Sequence, residues 1–376
     1  MPAIRILHGA DFHLDSPFSL KSPREAERRR TELRSDLSSV TVYIRMQKVQ
    51  ICLLSGDLFD GESVTPETRA LLERELSSCP DCRFFISPGN HDPLTALSPY
   101  RQMQLPENVH VFGPQKECVR LDELGVDVYG FGFDGKNGGE NPLTGYQKRD
   151  PSRINILCCH GDLEGNSEYG PFTRADLASC GFDYVALGHI HKGTGLQKEG
   201  SVFWAYPGCL EGRGFDETGE KGVLYGTLEK DDAGLRADLR FARMSKRRYE
   251  IATCDVTGCD RLTALEKVRA LARGYGADTT LRVVLTGEVK GGLLLLPEEI
   301  TPPEGACAVE TVDRTVLAPD FTAIEQSGTL KGAFFRLMRE KTAQEDADQA
   351  LYEEALKYGL LALDGRNISD LDLQGF

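Results

Sequence analysis

Five short polar clusters in the first half of the chain contain the side-chain types that bind divalent metals. They are Asp11-Phe12-His13, Gly56-Asp57-Leu58-Phe59-Asp60, Gly89-Asn90-His91-Asp92, His160-Gly161-Asp162 and Gly188-His189-Ile190-His191. Five of the 7 histidines of the chain lie in these clusters. Carboxylates, amide oxygens and imidazoles form a mixed ligand set for a divalent cation, without the thiolates that favour a structural zinc site. The clusters together indicate a metal site.

Each cluster taken alone has a simpler explanation. A single Asp-X-His is common, and Gly-Asn-His-Asp is typical of a turn because Asn and Gly tolerate positive φ. A lone His-X-His in a loop can be satisfied by backbone groups. All five clusters occur here in one chain, and each follows an apolar run, which favours the joint interpretation.

The apolar runs that precede the clusters are predicted to be buried strands. They span residues 4–7, 51–55, 84–87, 154–159 and 184–187. Predicted helices over 23–48 and 66–76 alternate with the first strands, a pattern that indicates βαβ units in a layered α/β domain. Because ligands bind at the carboxyl ends of strands in such sheets, we expect the clusters to converge on one cleft.

The second half of the chain contains no recognisable catalytic motif. We predict a large domain at 1–245, a small α/β domain at 246–316 and a helical segment at 317–376. The helical segment carries an apolar stripe formed by Leu330, Phe334, Phe335, Leu337 and Met338. Such a stripe either packs on its own domain or marks an interface with a partner.

The composition is that of a globular protein with an acidic surface. The 376 residues include 44 Lys and Arg against 58 Asp and Glu, for a net charge of −14, and 40% are hydrophobic. This balance argues against a broad basic surface for nucleic acid, since phosphate contacts need Lys and Arg. It does not exclude an enzyme that meets a phosphodiester through metal ions in a small cleft. No stretch approaches the roughly 18 apolar residues of a membrane span.

The 11 cysteines lack the spacing of a disulfide framework. An odd number, with Cys158 and Cys159 adjacent, suits a reducing compartment. No secretory signal opens the chain, so we expect a cytoplasmic location and no membrane association. Cys79 and Cys82 have CxxC spacing, but no second pair accompanies them. An incidental turn and redox or zinc chemistry are the two interpretations of this pair.

The ordered motifs DxH, GDxxD, GNHD, H and GHxH resemble those of the calcineurin-like metallophosphoesterase superfamily. Within it, the chain resembles the SbcD-type DNA repair exonucleases of the YhaO-like branch. The segments that carry this likeness are ILHGADFHLDSPF, LLSGDLFDG, PGNHDP, ALGHIHK and, at 206–222, YPGCLEGRGFDETGEKG. The resemblance implies an α/β fold in which a two-sheet layered (αββα) sandwich is followed by a small α/β capping domain and C-terminal helices.

The resemblance also implies a site for two divalent metals. By position, Asp11, His13 and His191 would bind one metal, Asn90, His160 and His189 the other, and Asp57 both. Mn²⁺ is the expected ion, with Fe, Zn and Mg as alternatives. Phosphodiester hydrolysis needs a hydroxide at neutral pH and neutralisation of the non-bridging oxygens, and two metals about 3.5–4 Å apart supply both.

Three further residues receive roles through the resemblance. His91 would protonate the leaving oxygen, and Asp60 would pair with His91, raising its pKa and fixing its tautomer. Some nuclease relatives have His in place of Asp60, which leaves the balance of exonuclease and endonuclease activity open. Arg213 lies between two glycines and is either a substrate phosphate contact or an ordinary surface arginine.

The leading functional hypothesis is a DNA phosphodiesterase. It would act as the nuclease subunit of a complex with an SbcC-like coiled-coil ATPase, bound through the C-terminal helices, and a homodimer is a further expectation. A second enzyme hypothesis keeps the site but assigns a small nucleotide or another phosphoester as substrate. A scaffold without activity is disfavoured because all seven predicted ligands and His91 are present.

Overall fold

A computed structural model of the chain describes residues 3–18, 22–135, 138–146, 149–165, 168–290, 295, 297–300, 308–344, 348–363 and 365. The strands are β1 (Ile4–Gly9), β2 (Ile51–Leu54), β3 (Arg83–Ile86), β4 (Val109–Val111), β5 (Glu117–Leu121), β6 (Val126–Gly130), β7 (Ile154–His160), β8 (Asp162–Leu163), β9 (Pro171–Phe172), β10 (Tyr184–Gly188), β11 (Gln197–Glu199), β12 (Val202–Ala205), β13 (Gly222–Asp231), β14 (Gly234–Arg243), β15 (Arg248–Asp255), β16 (Thr279–Thr286), β17 (Glu288–Val289), β18 (Ala308–Asp313) and β19 (Val316–Leu317). The helices are α1 (Pro23–Gln47), α2 (Pro66–Ser77), α3 (Pro99–Gln102), α4 (Arg174–Ser179), α5 (Arg261–Ala272), α6 (Pro297–Ile300), α7 (Phe321–Gln326), α8 (Leu330–Thr342) and α9 (Gln349–Leu363).

Two six-stranded sheets form the framework. The first has the order β14-β13-β1-β2-β3-β4, and the second has the order β11-β12-β10-β7-β6-β5. Strands β1 to β4 are parallel, as are β6, β7, β10 and β12. Antiparallel strands lie at one edge of the first sheet, as the long β13–β14 hairpin, and at both edges of the second, as β11 and β5. The parallel strands agree with the predicted βαβ units.

The inner faces of the two sheets form one apolar core. Ile6 and Phe85 of the first sheet pack in the same buried cluster as Val128, Ile156 and Tyr184 of the second. Strands covered on both faces read as continuous apolar runs, which is why the sequence shows them without alternation. The two sheets therefore lie face to face as the central layers of a sandwich.

Helices and loops cover the outer faces of the sheets. The apolar side of α1, including Leu33, Leu37 and Ile44, packs in one cluster with the first sheet. On the second sheet, Leu177 of α4 lies in the outer cluster with Tyr129. The predicted αββα sandwich is confirmed.

The boundaries of α1 follow from its terminal residues. The Ser22 hydroxyl accepts a hydrogen bond from the Glu25 backbone N–H at 3.2 Å, and Pro23 occupies the first turn, where no N–H partner is needed. Lys48 adopts a left-handed conformation with φ 52° and ends the helix. These boundaries match the predicted helix at 23–48 to within one residue.

Beyond the sandwich, the chain forms a small sheet of order β15-β16-β18 and the helices α5 to α9. Of the described residues, those within Met1–Ala252, Ala272–Arg282 and Pro302–Glu310 form one compact unit, and those within Thr253–Leu271, Val283–Thr301 and Thr311–Phe376 form a second. The division at 245 and 316 stays a prediction. Within the ranges that the structure describes, no helix combines the length and the apolar character that a membrane span needs.

Candidate metal centre

The predicted metal ligands lie at the carboxyl ends of five parallel strands. Asp11 and His13 follow β1, Asp57 follows β2, Asn90 follows β3, His160 ends β7, and His189 and His191 follow β10. Their ligand atoms form two groups, Asp11 with His13 and His191, and Asp11 with Asp57 and His160, and within each group all atoms lie within 4.8 Å of one another. Both sheets thus contribute to one site.

Several of these residues have a left-handed backbone, which is uncommon outside glycine. The φ angles are 54° at Asp11, 46° at His13, 51° at Asp57 and 106° at His189. The loops hold one another in this conformation, since the N–H of Asp11 donates to Gly56 O at 3.0 Å and that of His13 to Asp57 O at 2.9 Å. Such conformations persist where the surrounding structure over-determines them, and they cluster at functional sites.

His13 and His191 face each other across the first group. Their Nε2 atoms lie 3.1 Å apart, and His191 Nε2 is 3.6 Å from Asp11 Oδ1. On the far side of each ring, Nδ1 bonds a carboxylate, at 2.8 Å to Asp60 for His13 and at 2.6 Å to Glu217 for His191.

These bonds determine which ring nitrogens carry protons. A carboxylate only accepts hydrogen bonds, so Nδ1 of both His13 and His191 carries the proton, and Nε2 of a neutral ring presents a lone pair. Burial lowers the pKa of His13 to about 4, which keeps its ring neutral at physiological pH. Two lone pairs at 3.1 Å repel each other unless a cation lies near both. This donor set therefore fits a metal ion held by the two Nε2 atoms.

In the second group, the hydrogen bonds of His160 fix the position of its ring proton in the same way. Its Nδ1 donates to the Ser55 carbonyl oxygen at 2.9 Å, which leaves the Nε2 lone pair facing Asn90 Oδ1 at 3.0 Å and Asp57 Oδ2 at 3.4 Å. Three acceptor atoms thus converge on one point, an arrangement that a cation stabilises. The ring of His189 stands edge-to-face with that of His160, with 5.2 Å between the centroids.

Asp57 belongs to the second group and also lies near His13 of the first. Its Oδ2 is 3.4 Å from His160 Nε2 and 3.9 Å from His13 Nε2, and its side chain is buried. Burial acts to raise the pKa of Asp57, but the nearby His160, His13 and His91 outweigh it and hold the pKa below the ordinary value. The pKa of Asp11 moves the other way, raised by burial and by the charge of Asp57. A carboxylate ionised between two sets of imidazoles fits a bridging position.

His91 lies beside this cluster and is exposed to solvent. Its backbone N–H donates to Asp57 Oδ1 at 2.9 Å, and its ring stands edge-to-face with that of His13 at 4.8 Å. An imidazole in this place can exchange protons with water and with a substrate above the cluster.

Asp60 and Arg213 bind residues that surround the predicted ligands. Asp60 Oδ1 accepts from His13 Nδ1 and from Arg213 Nη1, both at 2.8 Å, while its distance to the nearest His91 nitrogen is within 4.8 Å. Arg213 also donates from Nη2 to Glu217 Oε1 at 2.9 Å. The guanidinium therefore joins the two carboxylates that orient His13 and His191. Its Nε is buried without a hydrogen-bond partner among the described residues.

Two residues of this site received no role from the sequence. Glu217 binds His191 and lies in the segment 206–222, and Asp92 is the last residue of the Gly-Asn-His-Asp cluster. The buried Asp92 carboxylate accepts from the backbone N–H of Asp57 at 3.2 Å, of Leu58 at 2.8 Å and of Gly89 at 2.7 Å. It ties the loop after β2 to the loop after β3. Both residues stand inside motifs, but the motif alone does not reveal what they bind.

A substitution at Gly56 tests the site without replacing any ligand. Its φ is +92°, and a Cβ there would lie 2.3 Å from His160 Nδ1. We expect Gly56→Ala to displace the His160 ring and to lower the Mn²⁺ affinity by about 10–100-fold, as the loss of a supporting contact does. Because the positive φ strains an alanine, the free energy of unfolding should also fall by about 1–3 kcal/mol. Isothermal titration calorimetry and thermal unfolding measure the two effects.

Gly61→Ala is the matched control for this variant. A Cβ on Gly61 would meet no described atom within 4 Å, and the residue follows the same strand. This variant should bind Mn²⁺ and unfold as the wild type does. A folded Gly56→Ala protein with wild-type Mn²⁺ affinity would contradict the placement of His160.

Comparison with known proteins identifies relatives of the chain. Residues 4–193 match the family described as calcineurin-like phosphoesterase. The chain is 31% identical over 312 residues to the uncharacterized metallophosphoesterase YhaO of Bacillus subtilis, covering 78% of this chain and 74% of the relative. It is 32% identical over 114 residues to the SbcD component of the nuclease SbcCD of Rhodobacter capsulatus, covering 29% of this chain and 27% of the relative. It is 27% identical over 209 residues to the DNA double-strand break repair protein Mre11 of Saccharolobus solfataricus, covering 53% of this chain and 52% of the relative.

Proposed function

The chain belongs to the calcineurin-like phosphoesterase family of metal-dependent phosphoester hydrolases, and from this premise we propose that it is a binuclear phosphodiesterase that hydrolyses DNA. The family predicted from the five motifs is confirmed. The observation that best supports two metals is the position of Asp57 Oδ2, 3.4 Å from His160 and 3.9 Å from His13. Asp11 is a second carboxylate near both groups, with ligand atoms within 4.8 Å of His191 and of His160.

The seven ligands divide between two cations. In our proposal Asp11, His13 and His191 would hold one, Asn90, His160 and His189 would hold the other, and Asp57 would bind both. When bound, the cations would supply a hydroxide at neutral pH and neutralise charge on the phosphate oxygens. Imidazole with carboxylate and amide oxygen suits Mn²⁺, Fe or Zn, and we propose Mn²⁺ as the working ion.

The side chains around the cluster position these ligands and move one proton. His91 is proposed as the general acid that protonates the leaving oxygen, because it is exposed beside the cluster and can regain its proton from water. Asp60 and Glu217 fix the tautomers of His13 and His191, and Arg213 holds the two carboxylates in place. We therefore propose positioning roles for Asp60 and Arg213, while the pairing of Asp60 with His91 and a phosphate contact by Arg213 stay predictions.

DNA is the proposed substrate because two relatives act in DNA metabolism by name. One is part of a nuclease and the other is a double-strand break repair protein. The alternative is a small phosphodiester or a nucleotide, which the net charge of −14 favours. A DNA nuclease with this charge would rely on its metals and a local groove, and on a partner to hold the duplex.

We propose a coiled-coil ATPase as that partner, bound by the C-terminal helices. In the apolar stripe of α8, Phe335 is buried, whereas Leu330 and Leu337 are 74% and 52% exposed. One side of the stripe thus packs within its own unit, and the other side exposes the large apolar side chains of Leu330 and Leu337 to solvent. A homodimer is a further part of this proposal. A cytoplasmic location is proposed as well, because the ten described cysteines are free thiols.

A nuclease assay tests the proposed substrate. With Mn²⁺, the protein should release nucleotides from single-stranded or blunt duplex DNA, and EDTA should abolish this release. Bis-p-nitrophenyl phosphate serves as a small diester control. Hydrolysis of the small diester without any cleavage of DNA would support the alternative and exclude the DNA proposal.

A further inference from the structure

A buried arginine outside the metal centre holds the segment that carries Arg213 and Glu217. Arg29 of α1 is 5% exposed. Its guanidinium donates to Glu211 Oε1 at 2.8 Å and to the Gly212 carbonyl oxygen at 3.0 Å. It also lies over the rings of Phe18 and Tyr249, at 5.3 and 5.7 Å from their centroids. A buried cation this fully enclosed has a fixed position, and so do the groups it binds.

The segment beyond Gly212 is closed on itself. Glu217 Oε2 accepts from the Arg213 backbone N–H at 2.7 Å, and the Glu217 N–H donates to Gly214 O at 3.1 Å. A Cβ on Gly212 would lie 2.7 Å from Glu217 O, so the two ends of the segment are in contact. Hydrogen bonds within the segment Glu211–Glu217 therefore fix its shape. Arg29 binds the first two residues of this segment, Glu211 and Gly212.

A second carboxyl group completes the anchor. Asp36 lies two turns after Arg29 on α1, and the charge of Glu211 acts on its buried carboxyl group. Burial, together with the charge of Glu211, raises the pKa of Asp36 to about 8, so Asp36 is protonated at neutral pH and can donate. Arg29 supplies the positive charge beside Glu211 and also donates to Glu32 Oε2 at 3.0 Å.

We propose that Arg29 and Glu211 are positioning residues for the metal centre, because they hold the segment that carries Glu217. This inference rests on the proposed two-metal site. The chain of contacts runs from Arg29 through Gly212 to Arg213 and Glu217, whose side chains bind Asp60 and His191. A shift of the segment would turn the His191 ring and separate its Nε2 from that of His13. The consequence is weaker metal binding, with no ligand removed.

The test compares Arg29→Met with Arg28→Met. Methionine keeps an unbranched apolar chain between the two rings but removes the donors to Glu211 and Gly212. Arg28 is the neighbouring residue, 63% exposed in its side chain and bonded to Glu32. Mn²⁺ binding is measured by isothermal titration calorimetry without substrate, and the absorption spectrum of the Co²⁺-loaded protein reports the imidazole ligands.

We expect Arg29→Met to lower the affinity for the more weakly held Mn²⁺ by about 10–100-fold and to change the Co²⁺ spectrum. Its kcat should recover when Mn²⁺ is raised to saturation, and Arg28→Met should behave as the wild type. Glu211→Gln serves as a second variant, since the amide keeps an acceptor for Arg29 but loses the negative charge. If Arg29→Met fails to fold, the Mn²⁺ affinity and the Co²⁺ spectrum of Glu211→Gln test the inference.

Folded variants that bind Mn²⁺ with wild-type affinity and an unchanged Co²⁺ spectrum would overturn this inference alone. A wild-type protein that binds no divalent metal would overturn the proposed function and this inference together. The two failures are thus distinguishable from one titration series.

Discussion

The Asp57→Asn protein is expected to lose the second metal ion and to hydrolyse phosphodiesters at least about 10³-fold more slowly than the wild type, which corresponds to roughly 4 kcal/mol of barrier. Asp57 is the carboxylate that reaches toward both ligand groups, at 3.4 Å from His160 and 3.9 Å from His13. The amide keeps the shape and the hydrogen bond from the His91 N–H but removes the negative charge between two cations. Calorimetry with Mn²⁺ and a bis-p-nitrophenyl phosphate assay measure the two losses.

Asp127→Asn is the control for this substitution. Asp127 is equally buried, at 1% exposed, but it pairs with Arg153 Nε at 2.7 Å on a strand of the second sheet. This variant should lose stability while it keeps both metals and its activity. If the Asp57→Asn protein retained two tightly bound Mn²⁺ ions, Asp57 would not be a bridging ligand.

The His91→Gln protein is expected to bind both metals with wild-type affinity and yet cleave DNA about 10²–10⁴-fold more slowly, the usual loss when a general acid is removed. The effect should depend on the leaving group. A deoxyribose alkoxide needs a proton as it leaves, whereas p-nitrophenolate leaves readily without one. We therefore expect a much smaller loss with bis-p-nitrophenyl phosphate than with DNA.

His110→Gln provides the comparison for His91. His110 lies on β4 at the edge of the first sheet, packs against Phe112 at 4.9 Å and is 3.5 Å from Glu117. Its replacement should leave metal binding and both activities unchanged. Wild-type rates of DNA cleavage by a metal-loaded His91→Gln protein would remove His91 from the mechanism.

The sequence predicted the central strands because they are buried on both faces. Residues 4–7, 51–55 and 154–159 are predominantly apolar runs, and the structure places β1, β2 and β7 there. The edge strands β5 and β11 were missed. They are short and partly exposed, and their residues show neither a continuous apolar run nor a clear alternation.

Apolar residues at three- and four-residue spacing predict a last helix over Ala343–Leu361. Its start is placed too early, because α8 ends at Thr342 and α9 begins at Gln349. Asp348 explains the later start, since its Oδ1 accepts the N–H of Leu351 at 3.2 Å. An aspartate before an apolar run is a start signal that outweighs continuous periodicity.

The types of the site residues could be read from the motifs, but their pairing could not. The family resemblance implies that Asp60 pairs with His91, whereas the hydrogen bonds of Asp60 go to His13, 47 positions away, and to Arg213, 153 positions away. Such partners depend on how loops from different strands meet. The role of Glu217 was hidden for the same reason, because its contact with His191 crosses 26 positions.

The stoichiometry of bound metal tests the central claim most directly. Metal-free protein titrated with Mn²⁺, with the bound ions counted by elemental analysis after gel filtration, should hold two ions per chain, and the same loaded protein should hydrolyse bis-p-nitrophenyl phosphate. A chain that retains no ion, or a single ion that suffices for full activity, would contradict the binuclear site built around Asp57.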